Sequence, residues 1–206
     1  MRLIIVRHGE TEENVKEMIQ GHIHGKLTKK GIAQAKRLAL RLKKEKIDAI
    51  FSSDLARAMD TVKEIAKFHD VKVNFTRKLR ERSHGIFEGV TRKEFQKIRE
   101  KRGYIISEFK PELGESYIEV RKRAKKFLDS LYKKYRGKTV LLMSHGGFNK
   151  VLLSIVMKKP LEESMDMKQG NTCVNIVEVG EKNRVHLIND TKHLRRKEQG
   201  PSDKRY

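Results

Sequence analysis

The chain reads as an α/β protein, a three-layer sandwich with a mostly parallel central sheet flanked by helices. Three observations point there. The short apolar runs Leu3–Val6, Ala49–Phe51 and Thr139–Met143 have the length and composition of strands buried on both faces. Between them lie stretches whose apolar residues recur every three or four positions, the period of a helix packed on a sheet. Each run also ends in a polar cluster, so chemistry gathers at the carboxyl edge of the sheet, where open α/β sheets hold ligands.

The elements follow in order. After Leu3-Ile4-Ile5-Val6 a polar loop runs through His24. A helix starts near Thr28, with Ile32, Ala35, Leu38, Ala39 and Leu42 at helical spacing. Ala49-Ile50-Phe51 is the second strand, and Ser52-Ser53-Asp54 supplies N-cap candidates for a helix carrying Ala58, Val62, Ile65 and Ala66. Val71–Phe75 alternates like a further strand. The segment from Leu79 to Gly114 is irregular and rich in glycine and charge. A long helix follows, with Tyr117, Val120, Ala124, Phe127, Leu131 and Tyr135 on one core-facing stripe. Thr139–Met143 is the clearest buried strand and leads into a helix bearing Val151, Leu152, Ile155 and Val156. Two strands near Cys173–Val179 and Val185–Ile188 complete the sheet. The length of 206 residues suits one domain. It spans residues 1–190, and a basic tail, 191–206, is expected to be mobile.

Composition narrows the function classes. No apolar stretch is long enough to cross a bilayer, and the apolar start is too short for a signal peptide, so a cytoplasmic location is expected. The lone Cys173 excludes an internal disulfide and a cysteine zinc site. Lys and Arg total 48 against 27 Asp and Glu, a formal charge of +21. Such an excess attracts nucleic acid or small anions. With only 6% aromatics and no basic stretch interleaved with stacking residues, no nucleic-acid partner is expected. The 36% of charged residues also fits growth at high temperature.

Two segments share one layout. Val6-Arg7-His8-Gly9 and Met143-Ser144-His145-Gly146-Gly147 each run from apolar strand through a polar residue to histidine and glycine. One such histidine is commonly structural. Two at neighbouring strand ends can face each other across one site, with the glycines allowing tight turns and close approach of a ligand. Arg57, in the first turn of the helix after the second strand, adds a guanidinium. With Arg7 it suits a doubly charged phosphoryl group, because guanidinium binds such oxygens bidentately and keeps its charge.

The remaining motifs complete a pattern. Arg7-His8-Gly9-Glu10 is followed by Ser52-Ser53 through Arg57-Ala58 and Thr61. Then come Leu79 and Glu81 before Gly85, Glu88 and Gly89, and last Ser144-His145-Gly146-Gly147. Asn14, Gln20-Gly21, Leu27-Thr28, Gly31 and Gln34-Ala35 accompany them. Over residues 2 to about 190 the chain resembles the histidine phosphatase (phosphoglycerate mutase-like) superfamily. The resemblance implies that His8 is a nucleophile that becomes transiently phosphorylated. It makes Arg7, Arg57 and His145 the groups that hold the phosphoryl oxygens, with Asn14 and Gly21 as phosphate-contacting loop residues. Glu81 is the general acid, a task that needs a carboxyl holding a proton near neutral pH. Glu88 is the rival acid, though its counterpart in the family looks structural. The positive charge expected from two arginines and a histidine makes a metal or other cofactor unnecessary, and His22-Ile23-His24 is a weak metal pair without further ligands. His24 departs from the aspartate usual in the family and bears on the entrance to the site.

The implied reaction is metal-independent hydrolysis of small phosphomonoesters. The alternative, a cofactor-dependent phosphoglycerate mutase, needs a cover that keeps water out, and Thr91–Gly114 has room for little more than one helix. A nucleic-acid-binding protein on the same scaffold is the remote reading. The partner expected is a small phosphomonoester, with no membrane and with the oligomeric state open between monomer and homodimer.

Overall fold

The computed structural model describes residues 1–101, 103 and 105–195. Its centre is a six-stranded sheet of order β3-β2-β4-β1-β5-β6, formed by β1 (Arg2–Arg7), β2 (Ala49–Ser52), β3 (Val73–Phe75), β4 (Thr139–Ser144), β5 (Val174–Glu178) and β6 (Arg184–Asp190). The pairings β1–β4, β2–β4 and β2–β3 are parallel, while β5 and β6 add an antiparallel edge. The helices are α1 (Glu12–Val15), α2 (Lys29–Leu42), α3 (Ala56–Ala66), α4 (Arg92–Lys101), α5 (Tyr117–Lys134), α6 (Gly146–Met157) and α7 (Leu161–Met165).

Strand alternation divides the core in two. Leu3, Ile5, Val140 and Leu142 pack with Val120, Phe127, Val151 and Leu152 of α5 and α6. Ile4, Val6, Leu141 and Met143 pack with Leu38, Val62 and Ile65 of α2 and α3. Because both faces are covered, β1 and β4 are apolar without interruption. The expected stripe of α5 is buried at Val120, Ala124, Phe127 and Leu131.

Several local expectations shift. The third strand begins at Val73 rather than Val71, since only Val73–Phe75 find partners on β2. None of Ser52, Ser53 and Asp54 caps α3. The N-cap is Leu55, without a side-chain bond, because Ser53 turns to His145 and Asp54 pairs with Arg80. The irregular middle holds two single turns, Arg77–Leu79 and Gly85–Phe87, besides α4. The tail expected to be mobile begins folded, with Lys192–Leu194 in a turn whose Leu194 carbonyl accepts from Arg37 of α2. Its residues 196–206, including Arg196-Lys197 and Lys204-Arg205, lie outside the described residues.

The glycine after His8 serves packing more than turning. A Cβ at Gly9 would stand 2.6 Å from the Gly31 carbonyl oxygen, and one at Gly31 would stand 2.0 Å from that of Glu10. Backbone meets backbone here, and this contact holds α2 against the loop that follows β1. Gly31→Ala is expected to destabilise the protein by about 1–3 kcal/mol through overpacking. Gly180→Ala, whose added Cβ would meet nothing closer than 3.9 Å, should stay within about 0.5 kcal/mol. Thermal unfolding of the two variants checks this, and equal midpoints would refute the packing role.

Candidate active site

The register of β1 on β4 builds the site. Arg7 lies opposite Ser144, so His8 and His145 leave the sheet side by side, with ring centroids 5.2 Å apart. The His8 N–H donates to the Ser144 carbonyl at 3.1 Å, and the Ser53 N–H donates to that of Met143 at 2.9 Å. Three strand ends thus align Ser53, His145 and His8 in a row.

His8 is 2% exposed and lines a cavity of about 780 Å³. Its Nδ1–H donates to the Gly9 carbonyl at 2.7 Å, which leaves Nε2 with the lone pair. Burial, then Arg57 and Arg7, push its pKa well below 6.5, so the imidazole is neutral at physiological pH. A neutral ring with a free Nε2 is the form a nucleophile requires.

Arg7 lines the same cavity and donates from Nη1 to the Gln169 carbonyl, while its buried Nε has no partner among the described residues. Arg57, also at the cavity wall, is 1% exposed. Its Nη2 donates to the Gly21 carbonyl at 2.8 Å, and its Nη1 to the carbonyls of Ile23 and His24. Its Nε donates to His145 Nδ1 at 3.2 Å. Burial pushes Arg57 down to about 10, which still leaves it charged at neutral pH.

His145 departs from expectation. It is fully buried and does not line the cavity; it stands behind His8 between Arg57 and Ser53. Its Nδ1 accepts from Arg57, so Nε2 carries the proton and donates to Ser53 Oγ at 2.8 Å. Burial, then Arg57, holds its pKa well below 6.5, and the positive charge expected from this histidine is therefore not present at neutral pH. The arginines supply it instead.

Glu81 sits on the first turn of α6. Gly147 N–H donates to Oε2, and Phe148 and Arg82 N–H donate to Oε1, each at 2.9 Å. Its own carbonyl accepts from Arg123 at 3.0 Å and pairs with His22 Nε2 at 2.9 Å. A Cβ at residue 147 would lie 2.6 Å from Glu81 Oε1, so the second glycine of Gly146-Gly147 makes room for the carboxylate. Glu88 does not reach the cavity. Its Oε1 accepts from the N–H groups of His22 and His84 at 2.9 and 3.0 Å, tying two loops together.

Asn14 and Gly21 both line the cavity. Asn14 Oδ1 accepts from Asn171 at 3.1 Å and from the Thr11 N–H at 3.2 Å, which directs its amide donors elsewhere. Gly21 adopts φ +48°, and a Cβ there would collide with Glu88. His24 is absent from the wall; only its carbonyl enters the site, through Arg57. Among the described residues no group of three or more His, Cys, Asp or Glu is placed to hold a metal ion. Sequence reasoning missed Arg92, Tyr117, Lys150 and Gln169 on the wall. Only Lys150 left a signal, one helical turn after Gly146 on the same face.

Residues 3–191 match the histidine phosphatase superfamily, branch 1. The chain belongs to that superfamily. A phosphoglycerate mutase-like protein of Arabidopsis thaliana is 34% identical over 93% of this chain and 86% of its own length. Phosphoserine phosphatase 1 of Hydrogenobacter thermophilus is 31% identical over 94% of each. A phosphoserine phosphatase of Entamoeba histolytica, solved with phosphoserine, superposes with a TM-score of 0.83 at 29% identity, covering 94% of this chain and 98% of that one. The histidine phosphatase described here is an enzyme of the phosphatase class. No helix among the described residues is long and apolar enough to cross a membrane.

The buried histidines predict a pH dependence of stability. His8, His84 and His145 are all pushed below 6.5, His84 to about 3. Below pH 6.5 the unfolded chain binds protons that the folded chain refuses, so the stabilisation is complete above 6.5 and is lost as pH falls toward the folded values. The ion-paired Glu115, held below its ordinary 4.5, adds its own loss only at lower pH. The unfolding free energy should therefore fall between about pH 6.5 and about pH 4.5, and His84→Gln should flatten the slope by up to about 1.4 kcal/mol per pH unit. Denaturant titrations across that range measure both slopes; identical slopes would contradict the assignment.

Proposed function

We propose that this phosphatase hydrolyses phosphomonoesters without a metal, through a phosphohistidine on His8. The observation that carries the reading is a neutral, buried imidazole with its Nε2 lone pair free, beside two guanidinium groups. His8 Nε2 attacks phosphorus, the ester P–O bond breaks, and its electron pair leaves with the oxygen of the alcohol. Glu81 is the group that gives that oxygen a proton. Glu81 then takes a proton from water, the water oxygen attacks phosphorus, the P–N bond breaks, and inorganic phosphate departs.

Arg7 and Arg57 stabilise charge on the equatorial oxygens, and Arg7 has a buried Nε available for it. Arg57 meets a phosphoryl group by exchanging loop carbonyls for stronger anionic acceptors. Asn14 directs its amide donors to the same oxygens, and the Gly21 backbone closes the loop above them. His145 acts through its neighbours, holding His8 by ring contact and Arg57 by a hydrogen bond. The guanidinium charge does the work that a divalent ion does elsewhere, in line with an Arabidopsis thaliana relative described as a metal-independent phosphoserine phosphatase. Function in the cytoplasm fits a chain of this composition.

The wild-type protein should hydrolyse p-nitrophenyl phosphate in excess chelator, and His8→Ala should abolish turnover without unfolding the protein. Full activity of His8→Ala would end the phosphohistidine mechanism. Glu81→Gln should slow an alkyl phosphate by about 10²–10⁴-fold but p-nitrophenyl phosphate far less, because that leaving phenolate needs little protonation. Isomerisation of 3-phosphoglycerate on supply of 2,3-bisphosphoglycerate would assign a mutase instead.

A further inference from the structure

The residues just before β5 touch three groups of the phosphoryl site. The Gln169 carbonyl accepts from Arg7 Nη1. Asn171 Nδ2 donates to Asn14 Oδ1 at 3.1 Å and to the His8 carbonyl at 3.2 Å. The Thr172 N–H donates to that same carbonyl, also at 3.2 Å. Asn171 is partly buried and does not line the cavity, so it reaches a substrate only through these partners.

This loop is fastened by bonds of its own. Gln169 and Asn175 exchange side-chain hydrogen bonds in both directions, each at 2.9 Å, and Asn175 also donates to the Ile5 carbonyl of β1 at 3.0 Å. Gly170–Cys173 is a tight turn, closed by the Cys173 N–H on the Gly170 carbonyl at 3.1 Å. Its third residue, Thr172, takes φ +53°, a value that turns ordinarily reserve for glycine or asparagine. A β-branched residue there is strained, and such strain persists only where the surroundings impose it. Thr172 is fully buried, and its hydroxyl pairs with His193 Nε2 at 3.2 Å. The strained turn aims the Thr172 N–H and the Asn171 amide at one oxygen, the carbonyl of the nucleophile.

The orientation of Asn14 makes the Asn171 donor decisive. Asn14 is the third residue of α1, and its Oδ1 closes a capping box by accepting from the Thr11 N–H at 3.2 Å. A helix of one turn has little rigidity of its own. The second donor, from Asn171, fixes Oδ1 and leaves both amide protons for the cavity that Asn14 lines. Were the amide reversed, its oxygen would face the phosphoryl oxygens and repel them.

We infer that Asn171 is a positioning residue of the phosphohistidine site: its amide locks Asn14 with both amide protons toward the phosphoryl group and, with the Thr172 N–H, pins the main chain of His8. This rests on the phosphatase reading above and extends it to a residue outside the cavity wall.

The test uses Asn171→Asp, which keeps the size of the side chain but has no amide donor, and Asn171→Ala, so that a folding failure of one leaves the other. Each should lower kcat/KM for p-nitrophenyl phosphate by about tenfold or more, the worth of a hydrogen bond from Asn14 to a charged oxygen. The inhibition constant of orthovanadate, which mimics the five-coordinate phosphorus of the transfer, should rise by a similar factor. A merely structural defect reduces the amount of folded enzyme and therefore kcat, with KM and the vanadate constant unchanged. The double variant Asn14→Ala/Asn171→Ala should lose little more than Asn14→Ala alone, whereas independent roles give the product of the two losses. Wild-type vanadate inhibition in the folded Asn171 variants, or a double variant at the product, overturns the positioning role alone. If the wild-type protein does not turn over p-nitrophenyl phosphate, the phosphatase reading falls and the positioning role falls with it.

Discussion

Everything in the site depends on the parallel register of β1 against β4. With Arg7 opposite Ser144, the next residue on each strand is a histidine, and the two rings meet 5.2 Å apart. Ser52 of β2 pairs with Met143, which brings Ser53 to the same edge. A slip of one residue in a buried parallel pair would exchange the two core faces, moving Leu3 and Ile5 into the set that belongs to Ile4 and Val6. The cost of misplacing those side chains fixes the register, and the register fixes the histidines. The geometry of the site is thus held by hydrophobic burial along the strands that lead to it.

Burying that much polar chemistry sets the protonation states. Two guanidinium groups enter the interior, and each keeps its charge because backbone carbonyls accept from it: Gln169 for Arg7, and Gly21, Ile23 and His24 for Arg57. Their field, together with lost hydration, keeps both imidazoles neutral. One ring is oriented by Gly9 and the other by Arg57 and Ser53, so their tautomers differ in purpose. His8 presents a lone pair, whereas His145 has both nitrogens engaged. Glu81 lines the same cavity as this cationic centre and favours its charge, while backbone donors on the first turn of α6 fix the carboxylate.

Much of this was legible from residue order. The strand runs, the stripes of α2 and α5 and the strand-end histidines follow from local periodicity, and the spaced motifs point to one family. Arg57 and Glu81 are named by motif and are found on the cavity wall. Other features had no local signature. Ser53 reads as a helix cap, yet its hydroxyl serves a histidine from a strand 92 residues later. Gly9 reads as a turn or ligand glycine, yet it packs on Gly31. The segment after Leu79 reads as irregular, although an aromatic cluster seats α4 beside the cavity.

By itself the sequence determined which residues form strands and helices, which side chains can bind a phosphoryl group, and the family to which they belong. Those properties reside in short-range pattern and in side-chain chemistry. Only the tertiary structure decided that His145 is buried behind His8 between Arg57 and Ser53, that Glu88 bonds two loops, and that Arg92 and Lys150 share a wall with Glu81. Each of these depends on burial and on neighbours distant in the chain. Solvation and charge proximity are properties of the folded surroundings, and residue order alone does not specify them.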